Sequence, residues 1–349
     1  MKVYSLKLEI KEILKTVYGK LAELRRKFYK NGILKSKSLP IPVISVGNLS
    51  VGGSGKTPIT IEIAKYFQKK GLKPCVLSRG YKRESKGVVV VSDGKDIFVD
   101  IKTAGDEPYL IAKSGIPVVV GESRYEAGLQ ALVEIKPDIF ILDDGFQHYQ
   151  LERDVDILLI DATRPFWKDD LLPVGRLREP RSFNKYADMF VITKTFLLSK
   201  KELQELKKTL EYFAKPYFFA EEKFYRFTDG NLEYNFDIMV NVDIGVFAGL
   251  GNNQQFFRYM KECGIKCGFR VKHTISFPDH ATYENLELPK DVDFWVTTYK
   301  DFIKLTPKQI KEYNIFALMY DIKLPEEFFN YLEERLYVRR GKKAFKKVG

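Results

Sequence analysis

A glycine-rich segment in the first sixth of the chain combines the residue types that bind a triphosphate. It reads SVGGSGKTP from Ser50 to Pro58 and follows an apolar stretch that ends at Val46. Such a turn offers backbone N–H groups to phosphate oxygens, while a lysine serves the β- and γ-phosphates and a hydroxyl serves Mg²⁺. The predicted nucleotide-binding residues of this loop are Gly52, Gly53, Ser54, Gly55, Lys56 and Thr57.

The loop departs from the full P-loop pattern at one position, where Ser50 replaces the first glycine. The context of the motif is kept, because an apolar strand precedes the loop and a helical segment, residues 59–69, follows it. A glycine-rich turn without a ligand is the alternative. The Gly-Lys-Thr triplet between a strand and a helix favours the nucleotide site.

A pair of aspartates ends a second apolar strand. The run from Asp138 to Leu142 leads directly into Asp143, Asp144 and Gly145. Ligands of open parallel sheets collect at the carboxyl edge of the strands, so these side chains are expected beside the glycine-rich loop. One of the two carboxylates is predicted to hold Mg²⁺ together with Thr57. A simple Asp-Gly turn at the strand end is the alternative interpretation.

Composition narrows the class of protein. The 349 residues suit two domains, or one domain with a long insertion, and 45% hydrophobic residues can form a large core. A formal net charge of +12 predicts an anionic partner: nucleic acid, an acidic membrane surface or a phosphorylated substrate. Cys75, Cys263 and Cys267 form no metal-like cluster, which favours a reducing cytoplasm. We expect no signal peptide and no membrane span.

The first 30 residues predict a basic amphipathic helix. Its apolar positions recur at helical spacing: Ile10, Ile13, Leu14, Val17, Leu21, Leu24 and Phe28. Its basic residues occupy other faces: Lys7, Lys11, Lys15, Arg25, Arg26 and Lys27. The apolar stripe suits either packing on the domain or insertion into an anionic bilayer interface. The basic segment from Arg339 to Lys347 is predicted to be a disordered end or an electrostatic anchor.

Apolar strands that alternate with helix-length segments predict a parallel sheet covered on both faces. The fold class is therefore α/β, with a P-loop-type sheet domain and a second, smaller α/β domain. The predicted boundaries are 1–30 for the basic helix, 31–216 for the P-loop domain, 217–242 for a linking ribbon and 243–349 for the C-terminal domain with its tail. A hairpin is predicted around Asp93 and Gly94, with a second strand at residues 96–101.

Six motifs in the same order resemble those of the tetraacyldisaccharide 4′-kinases of lipid A biosynthesis. They are VGNLSVGGSGKTP at 46–58, LSRGY at 77–81, AGDEP at 104–108, LDDGFQH at 142–148, LLPVGRLREP at 171–180 and SFPDH at 276–280. The resemblance extends from about Pro40 to Lys304. It implies a P-loop α/β/α domain joined by a two-stranded ribbon to a smaller α/β domain.

The resemblance also implies the reaction and its surroundings. A member of this family transfers the γ-phosphate of ATP, with Mg²⁺, to the 4′-hydroxyl of a tetraacyldisaccharide 1-phosphate at the cytoplasmic face of the bacterial inner membrane. The anionic partner would then be the lipid substrate and the membrane surface, with no nucleic acid. A substrate embedded in a bilayer favours the interfacial interpretation of the N-terminal helix.

Residue roles follow from these motifs. An alcohol acceptor must lose a proton, and the resemblance assigns that proton to Asp106, which bottom-up reasoning would otherwise treat as a helix N-cap. His280 is expected to orient Asp106, and Lys56 to act in catalysis. Arg178 suits the nucleotide and Glu179 the metal, or Glu179 pairs with Arg178 or Arg176.

The remaining basic segment follows the second predicted strand. Arg79 and Tyr81 are the predicted substrate-binding residues, and Lys82 and Arg83 are weaker candidates. Guanidinium groups bind phosphate in bidentate fashion, which suits a phosphorylated lipid.

Two other classes of protein share a Gly-Gly-x-Gly-Lys-Thr loop or a basic charge. A P-loop ATPase switch, or a related small-molecule ligase, is the main alternative, but Val51 stands where the switch proteins carry a bridging lysine. A nucleic-acid-binding NTPase is suggested by charge alone, since no aromatic and basic platform accompanies it.

Overall fold

The computed structural model describes residues 2–235 and 240–341. Within those ranges it describes all side chains except those of residues 2–8 and 223–225. The chain divides into two compact units. The first unit comprises the described residues of Met1–Glu221 and Ile322–Gly349, and the second comprises those of Glu222–Asp321. Each unit contains its own sheet and its own buried apolar core.

The first unit is built on an eight-stranded sheet. Its strands are β1 Val43–Gly47, β2 Pro74–Ser78, β3 Val89–Asp93, β4 Pro117–Val120, β5 Ile139–Asp143, β6 Val155–Asp161, β7 Met189–Thr193 and β8 Tyr217–Phe219, in the spatial order β3-β4-β2-β5-β1-β6-β7-β8. All pairings are parallel except that of the edge strand β3 with β4. The central strands are buried throughout, as expected for strands covered by helices on both faces.

The helices of this unit are α1 Lys2–Lys30, α2 Lys56–Lys69, α3 Ile101–Ala104, α4 Asp106–Lys113, α5 Arg124–Glu134, α6 Lys200–Tyr212 and α10 Glu326–Arg340. The hairpin predicted around Asp93 differs from the structure. Residues 96–100 form no strand beyond a single bridge of Ile97 to Ser92, and the chain turns into α3, because Asp100 caps that helix through the N–H of Thr103. The partner of β3 is instead β4.

The second unit holds a six-stranded sheet. Its elements are β9 Glu221–Thr228, β10 Glu233–Asn235, β11 Asp243–Ala248, α7 Asn253–Cys267, β12 Arg270–Ser276, β13 Phe294–Thr298, α8 Tyr299–Phe302, α9 Pro307–Glu312 and β14 Ile315–Lys323. The strand order is β10-β9-β14-β13-β11-β12. The strands β12, β11, β13 and β14 run parallel, and β10 pairs with β9 in antiparallel fashion. The smaller α/β domain predicted from sequence is thus present.

The domain boundaries in the structure differ from the predicted ones at the C-terminus. The prediction assigned residues 243–349 to the second domain, whereas α10 belongs to the first unit. Ion pairs explain this placement, since Arg335 binds Asp188 at 2.6 Å and Arg340 binds Asp154 at 2.6 Å. The chain passes between the units within β9 and within β14, which are neighbours in the second sheet. Residues 236–239 of the predicted ribbon lie outside the described residues.

Helix α1 attaches to the first unit by its polar side. Tyr18, Gly19 and Arg26 are half-buried or buried, whereas the predicted apolar stripe from Ile10 to Leu24 is 46–63% exposed. Among the residues that the structure describes, no helix has the length and apolar character needed to cross a membrane. The tail beyond Gly341, which contains most of the predicted basic segment, lies outside the described residues.

Candidate functional site

The register of the first sheet brings the two predicted phosphate-site segments together. Val46, near the end of β1, pairs with Asp143, the last residue of β5. The loops that follow are in close contact, because a Cβ atom on Gly47 would lie 2.6 Å from the Cβ atom of Phe146. Glycine at position 47 therefore allows the P-loop to pass directly beside the aspartate pair.

The structure explains why the loop tolerates Ser50. This residue forms an antiparallel bridge with Leu177, and the flanking N–H of Val51 donates to the carbonyl of Arg176 at 2.8 Å. Extended backbone does not need glycine. The left-handed positions come later, at Gly52 (φ 105°) and at Gly55 (φ 81°), which immediately precedes α2.

The end of β7 holds the P-loop in place from the side of the sheet. The hydroxyl of Thr193 donates to the carbonyl of Ser54 at 3.1 Å, and the ammonium group of Lys194 donates to the carbonyl of Gly53 at 2.6 Å. Lys194 also binds Asp161 at 2.7 Å. These carbonyl groups face the protein, which orients the peptide units of the loop. Lys194 was not predicted from the sequence. The one available indication was its position directly after an apolar strand.

Asp144 is the centre of a charge network with two of the predicted nucleotide-binding residues. Arg178 donates to both of its carboxylate oxygens, at 2.8 and 2.7 Å, and the ammonium group of Lys56 lies 3.8 Å away. Asn48 accepts from Arg178 at 2.5 Å and from Lys56 at 3.5 Å. Burial alone would raise the pKa of Asp144, but Lys56 and Arg178 outweigh it and hold the pKa below its ordinary value.

Asp143 has a different environment although it adjoins Asp144. It is 1% exposed and accepts a hydrogen bond from the hydroxyl of Thr60 at 3.2 Å. Burial, followed by the nearby carboxylates of Glu107 and Asp144, raises the pKa of Asp143 to about 7. The residues that would hold Mg²⁺ are Thr57, in the first turn of α2, and this aspartate pair.

The donor set fits Mg²⁺ bound with a nucleotide. No group of three or more His, Cys, Asp or Glu side chains suited to a metal occurs in the described part of the chain. Mg²⁺ in nucleotide sites needs fewer protein ligands, because phosphate oxygens and water complete its octahedral shell. A hydroxyl and one or two carboxylates beside a phosphate cradle match that requirement.

Asp106 lies at the start of α4, at the same edge of the sheet. Gly105, with φ 88°, occupies the N-cap position, so Asp106 is the first helical residue and not the cap. The next residue, Glu107, raises the pKa of Asp143, which places the first turn of α4 near the aspartate pair. Asp106 is half-buried and takes part in interactions within its surroundings.

The predicted substrate-binding segment contacts the Asp106 loop through two glycines. A Cβ atom on Gly105 would lie 3.3 Å from the Cα atom of Gly80. Arg79 and Tyr81, which flank Gly80, are both exposed. Arg83 has another role, because its guanidinium group binds Glu122 at 2.8 Å and Ser85 at 3.0 Å. The structure thus gives Arg83 a part in holding this loop.

Glu179 makes neither of the ion pairs considered from sequence. Its carboxylate accepts hydrogen bonds from the hydroxyl of Tyr149 and from Gln147, the latter at 3.1 Å. Arg178 is paired with Asp144, and Arg176 with Asp169 at 2.7 Å. Burial raises the pKa of Glu179. Tyr149 and Gln147 thus account for the described hydrogen bonds of this carboxylate. Its metal role remains a prediction.

Two further residues at this edge were missed or left undefined by the sequence. Arg124, the first residue of α5, is 6% exposed, and burial lowers its pKa to about 10 although Asp144 and Asp143 oppose the shift. His148 is half-buried, and burial together with Arg124 and Arg153 lowers its pKa to about 3. A basic residue after the apolar strand β4 was the available signal for Arg124.

His280 belongs to the second unit. It follows β12, has φ 66°, and its Nε2 atom lies 3.7 Å from the carboxylate of Asp279. Asp279 in turn binds Lys300 at 3.2 Å. His280 therefore lies in a charged loop at the carboxyl end of a parallel strand.

The parallel sheet, the P-loop and the acidic pair define the class of protein as a P-loop nucleotide-binding α/β enzyme. The family model for the tetraacyldisaccharide-1-P 4′-kinases matches residues 10–337, and the chain belongs to this family of phosphotransferases. A tetraacyldisaccharide 4′-kinase from Aquifex aeolicus is 43% identical over 314 residues, which cover 89% of this chain and 93% of that protein. One from Halothermothrix orenii is 37% identical over 90% of this chain and 88% of that protein.

A solved structure agrees with this assignment. The crystal structure of an "apo" form of LpxK from Aquifex aeolicus in complex with ATP superposes with a TM-score of 0.76 at 39% identity. The alignment covers 93% of this chain and 96% of that one. The predicted fold class and family are confirmed. The predicted roles of individual site residues remain predictions.

Proposed function

We propose that this protein transfers the γ-phosphate of ATP to the 4′-hydroxyl of a tetraacyldisaccharide 1-phosphate, a lipid A precursor. The observation that carries the proposal is the convergence of the P-loop, the aspartate pair and the Asp106 loop at one sheet edge of a chain in this kinase family. Phosphoryl transfer depends mainly on positioning and on neutralising charge, and this edge supplies both.

The predicted site residues each have a part in the proposed reaction. Lys56 and Arg178 neutralise the charge that spreads over the transferred phosphate oxygens, while Arg79 and Tyr81 bind the phosphorylated disaccharide. Asp106 accepts the proton of the 4′-hydroxyl, and His280 orients it. Mg²⁺, held by Thr57 with Asp143 and Asp144, supplies further charge neutralisation when it is bound with ATP. Glu179 supports this region from its hydrogen bonds to Tyr149 and Gln147.

The substrate assignment has a direct test. We expect ATP turnover, followed by thin-layer chromatography, to require the acylated disaccharide and to yield a product with one more phosphate. Turnover that ignores the disaccharide would favour the ATPase switch or ligase alternative. Turnover stimulated by nucleic acid would favour the third class of protein.

The proposed proton acceptor is tested by a double mutant. Asp106→Asn keeps the shape of the side chain and removes the base, so we expect a slower transfer with little change in ATP affinity. His280→Ala should have a smaller effect of the same kind. If the two residues act as one unit, the double variant is little worse than Asp106→Asn alone. Fully multiplicative losses would contradict the pair.

We further propose that the protein acts at the cytoplasmic face of the bacterial inner membrane, with the anionic membrane surface, and no nucleic acid, as the partner of its positive charge. The exposed apolar stripe of α1 supports this proposal. Leu14, Val17, Leu21 and Leu24 are 46–60% exposed, on a helix that also carries basic residues. A helix with these two features lies in the interface plane of an anionic bilayer.

The membrane proposal is tested by changing the stripe. Replacement of Leu14, Val17, Leu21 and Leu24 by serine or glutamine should release the protein from anionic vesicles, because each side chain contributes roughly 1.5 to 3 kcal/mol when fully buried. The melting temperature without vesicles should change little, since the stripe is exposed in the folded unit. A variant that melts far below the parent and still binds vesicles would show that the stripe is packing surface.

A further inference from the structure

Helix α1 contacts the segment that carries Arg178, which belongs to the charge network around Asp144. The hydroxyl of Tyr18 donates to the backbone carbonyl of Arg178 at 2.8 Å, and Lys15 binds Asp170 at 3.1 Å. Gly19 allows close approach, because a Cβ atom there would lie 2.9 Å from a methyl group of Leu171. The segment around Arg178 is thus attached to the helix whose other face carries the apolar stripe.

Arg26 makes the most buried of these contacts. It is 9% exposed, and its guanidinium carbon lies 3.6 Å from the ring centroid of Tyr186, 4.6 Å from that of Tyr149 and 5.1 Å from that of Phe183. Arginine suits such a cage because its planar, weakly hydrated cation stacks on aromatic faces.

Polar contacts continue from Arg26 towards the phosphate site. Arg26 donates to the hydroxyl of Tyr149 at 2.8 Å, and that hydroxyl donates to the carboxylate of Glu179. The other oxygen of Glu179 accepts from Gln147, whose amide also donates to the carbonyl of Asn48 at 2.8 Å. Asn48 belongs to the network around Asp144. Arg178, which adjoins Glu179 in sequence, belongs to the same network.

We propose that Arg26 is a positioning residue for the phosphate site, acting through Tyr149 and Glu179 on Arg178 and Asn48. The positive charge of Arg26 compensates the buried carboxylate of Glu179, and the shared hydroxyl of Tyr149 fixes the geometry between them. The carboxylate then holds Gln147 and the Arg178 segment in the arrangement that pairs Arg178 with Asp144. One helix consequently presents an apolar face to its surroundings and orders the nucleotide site from its polar face.

The test uses the full chain and a matched pair of variants. Arg26→Met keeps an unbranched apolar stem that reaches about as far as the Nε atom of arginine, and it removes the guanidinium group. Lys27→Met removes one positive charge at the adjacent, exposed position of the same helix. Substrate is supplied in neutral detergent micelles, so that membrane charge does not enter. The measurements are kcat, KM for ATP, KM for the disaccharide, ATP affinity by calorimetry, and sedimentation with anionic vesicles.

We expect Arg26→Met to lose roughly tenfold or more in kcat/KM for ATP, as for other residues that orient a site through an intermediate group. KM for the disaccharide and vesicle binding should match those of Lys27→Met. Parental kinetics for ATP in Arg26→Met would overturn the proposal and leave Arg26 as an anchor of the helix. An equal loss in both variants would overturn it too, because it would indicate a general effect of charge.

A second variant decides the matter if Arg26→Met does not fold. Tyr149→Phe keeps the ring in the cage and removes only the hydroxyl between Arg26 and Glu179. We expect a reduced kcat/KM for ATP in this variant, with an unchanged KM for the disaccharide. Where Arg26→Met folds, the double variant should be little worse than Arg26→Met alone. Parental ATP kinetics in Tyr149→Phe would overturn the proposed route.

Discussion

The two units contain the same local topology with different chemistry at its turn. In the first, strand β1 leads through a glycine-rich loop into α2, and in the second, strand β11 leads through Gly249, Leu250 and Gly251 into α7. Both loops follow the carboxyl end of a strand within a parallel sheet. A ligand site is expected at this place in either unit on fold alone.

The second loop is occupied by the protein's own side chains. The N–H of Gly249 donates to the carboxylate of Asp301 at 2.9 Å, and the N–H of Leu250 donates to the amide oxygen of Asn253 at 2.6 Å. Asp301 is fully buried. Two N–H groups of this turn therefore already have acceptors among the protein's own side chains.

The first loop has different surroundings. Two cations, Lys56 and Arg178, lie beside it and share Asp144. The comparison indicates that the side chains around a glycine turn, and not the turn itself, decide whether the turn suits a phosphate. Fold alone does not decide function.

The largest expected effect in this comparison is the loss of Lys56. Lys56→Ala should lower the rate of phosphoryl transfer by on the order of a hundredfold or more, because a charge that stabilises the transition state is removed. Lys65→Ala, at an exposed position of α2, is the matched control and should behave as the parent. Steady-state kinetics and a thermal melt of both variants check this. Near-parental turnover in Lys56→Ala would contradict the P-loop assignment.

A smaller effect is expected from the hydroxyl of Thr57. Thr57→Ala should raise the Mg²⁺ concentration for half-maximal activity by about tenfold, because a metal ligand is lost. Thr57→Ser restores the hydroxyl and should return the Mg²⁺ titration towards that of the parent. Coinciding titration curves for the alanine variant and the parent would rule out the ligand role.

The second loop should respond in stability and not in nucleotide binding. Asp301→Ala leaves the N–H of Gly249 without its acceptor, and we expect a loss of about 1 to 3 kcal/mol in the free energy of unfolding of the second unit. Asp301→Asn keeps an acceptor oxygen and should lose less. Trp295 is buried in this unit and Trp167 lies in the other, so urea unfolding followed by fluorescence in a Trp167→Phe background reports on the second unit. A gain in ATP binding would contradict the comparison.

The sequence predicted the first loop better than the second for a physical reason. The Gly-Lys-Thr triplet and the Asp-Asp pair are local patterns, and the register of two adjacent strands brings them together. The acceptor of the Gly249 N–H, in contrast, is Asp301, which is 52 residues away in sequence. The return of α10 to the first unit was missed likewise, because it depends on distant partners such as Asp188 for Arg335.

Site residues show the same limit of local patterns. Asp106 was predicted near a helix start and lies there, but its first-turn position became clear only once Gly105 was seen to occupy the cap. The metal role of Glu179 remains a prediction, and the sequence did not indicate its hydrogen bonds to Tyr149 and Gln147. Arg124 and Lys194 were missed because a single basic residue after a strand has no distinctive spacing. Which face of α1 is exposed also followed from tertiary contacts and not from periodicity.

The smallest expected effect concerns pH and the first unit alone. Burial and the neighbouring arginines lower the pKa of His148 to about 3 in the folded protein, whereas an unfolded histidine has a pKa of about 6.5. Between these values the unfolded chain binds a proton that the folded chain does not. The free energy of unfolding therefore falls as the pH drops below 6.5, by at most about 2 kcal/mol at pH 5.

His148→Gln cannot take up this proton, so its free energy of unfolding should fall less than that of the parent between pH 7 and pH 5. Urea midpoints at pH 8, 7 and 5 measure the difference, and the step from pH 8 to 7 is the internal reference because histidine contributes little there. Equal losses in parent and variant at pH 5 would show that His148 accepts a proton in the folded state, and that the arginines around it tolerate one more positive charge.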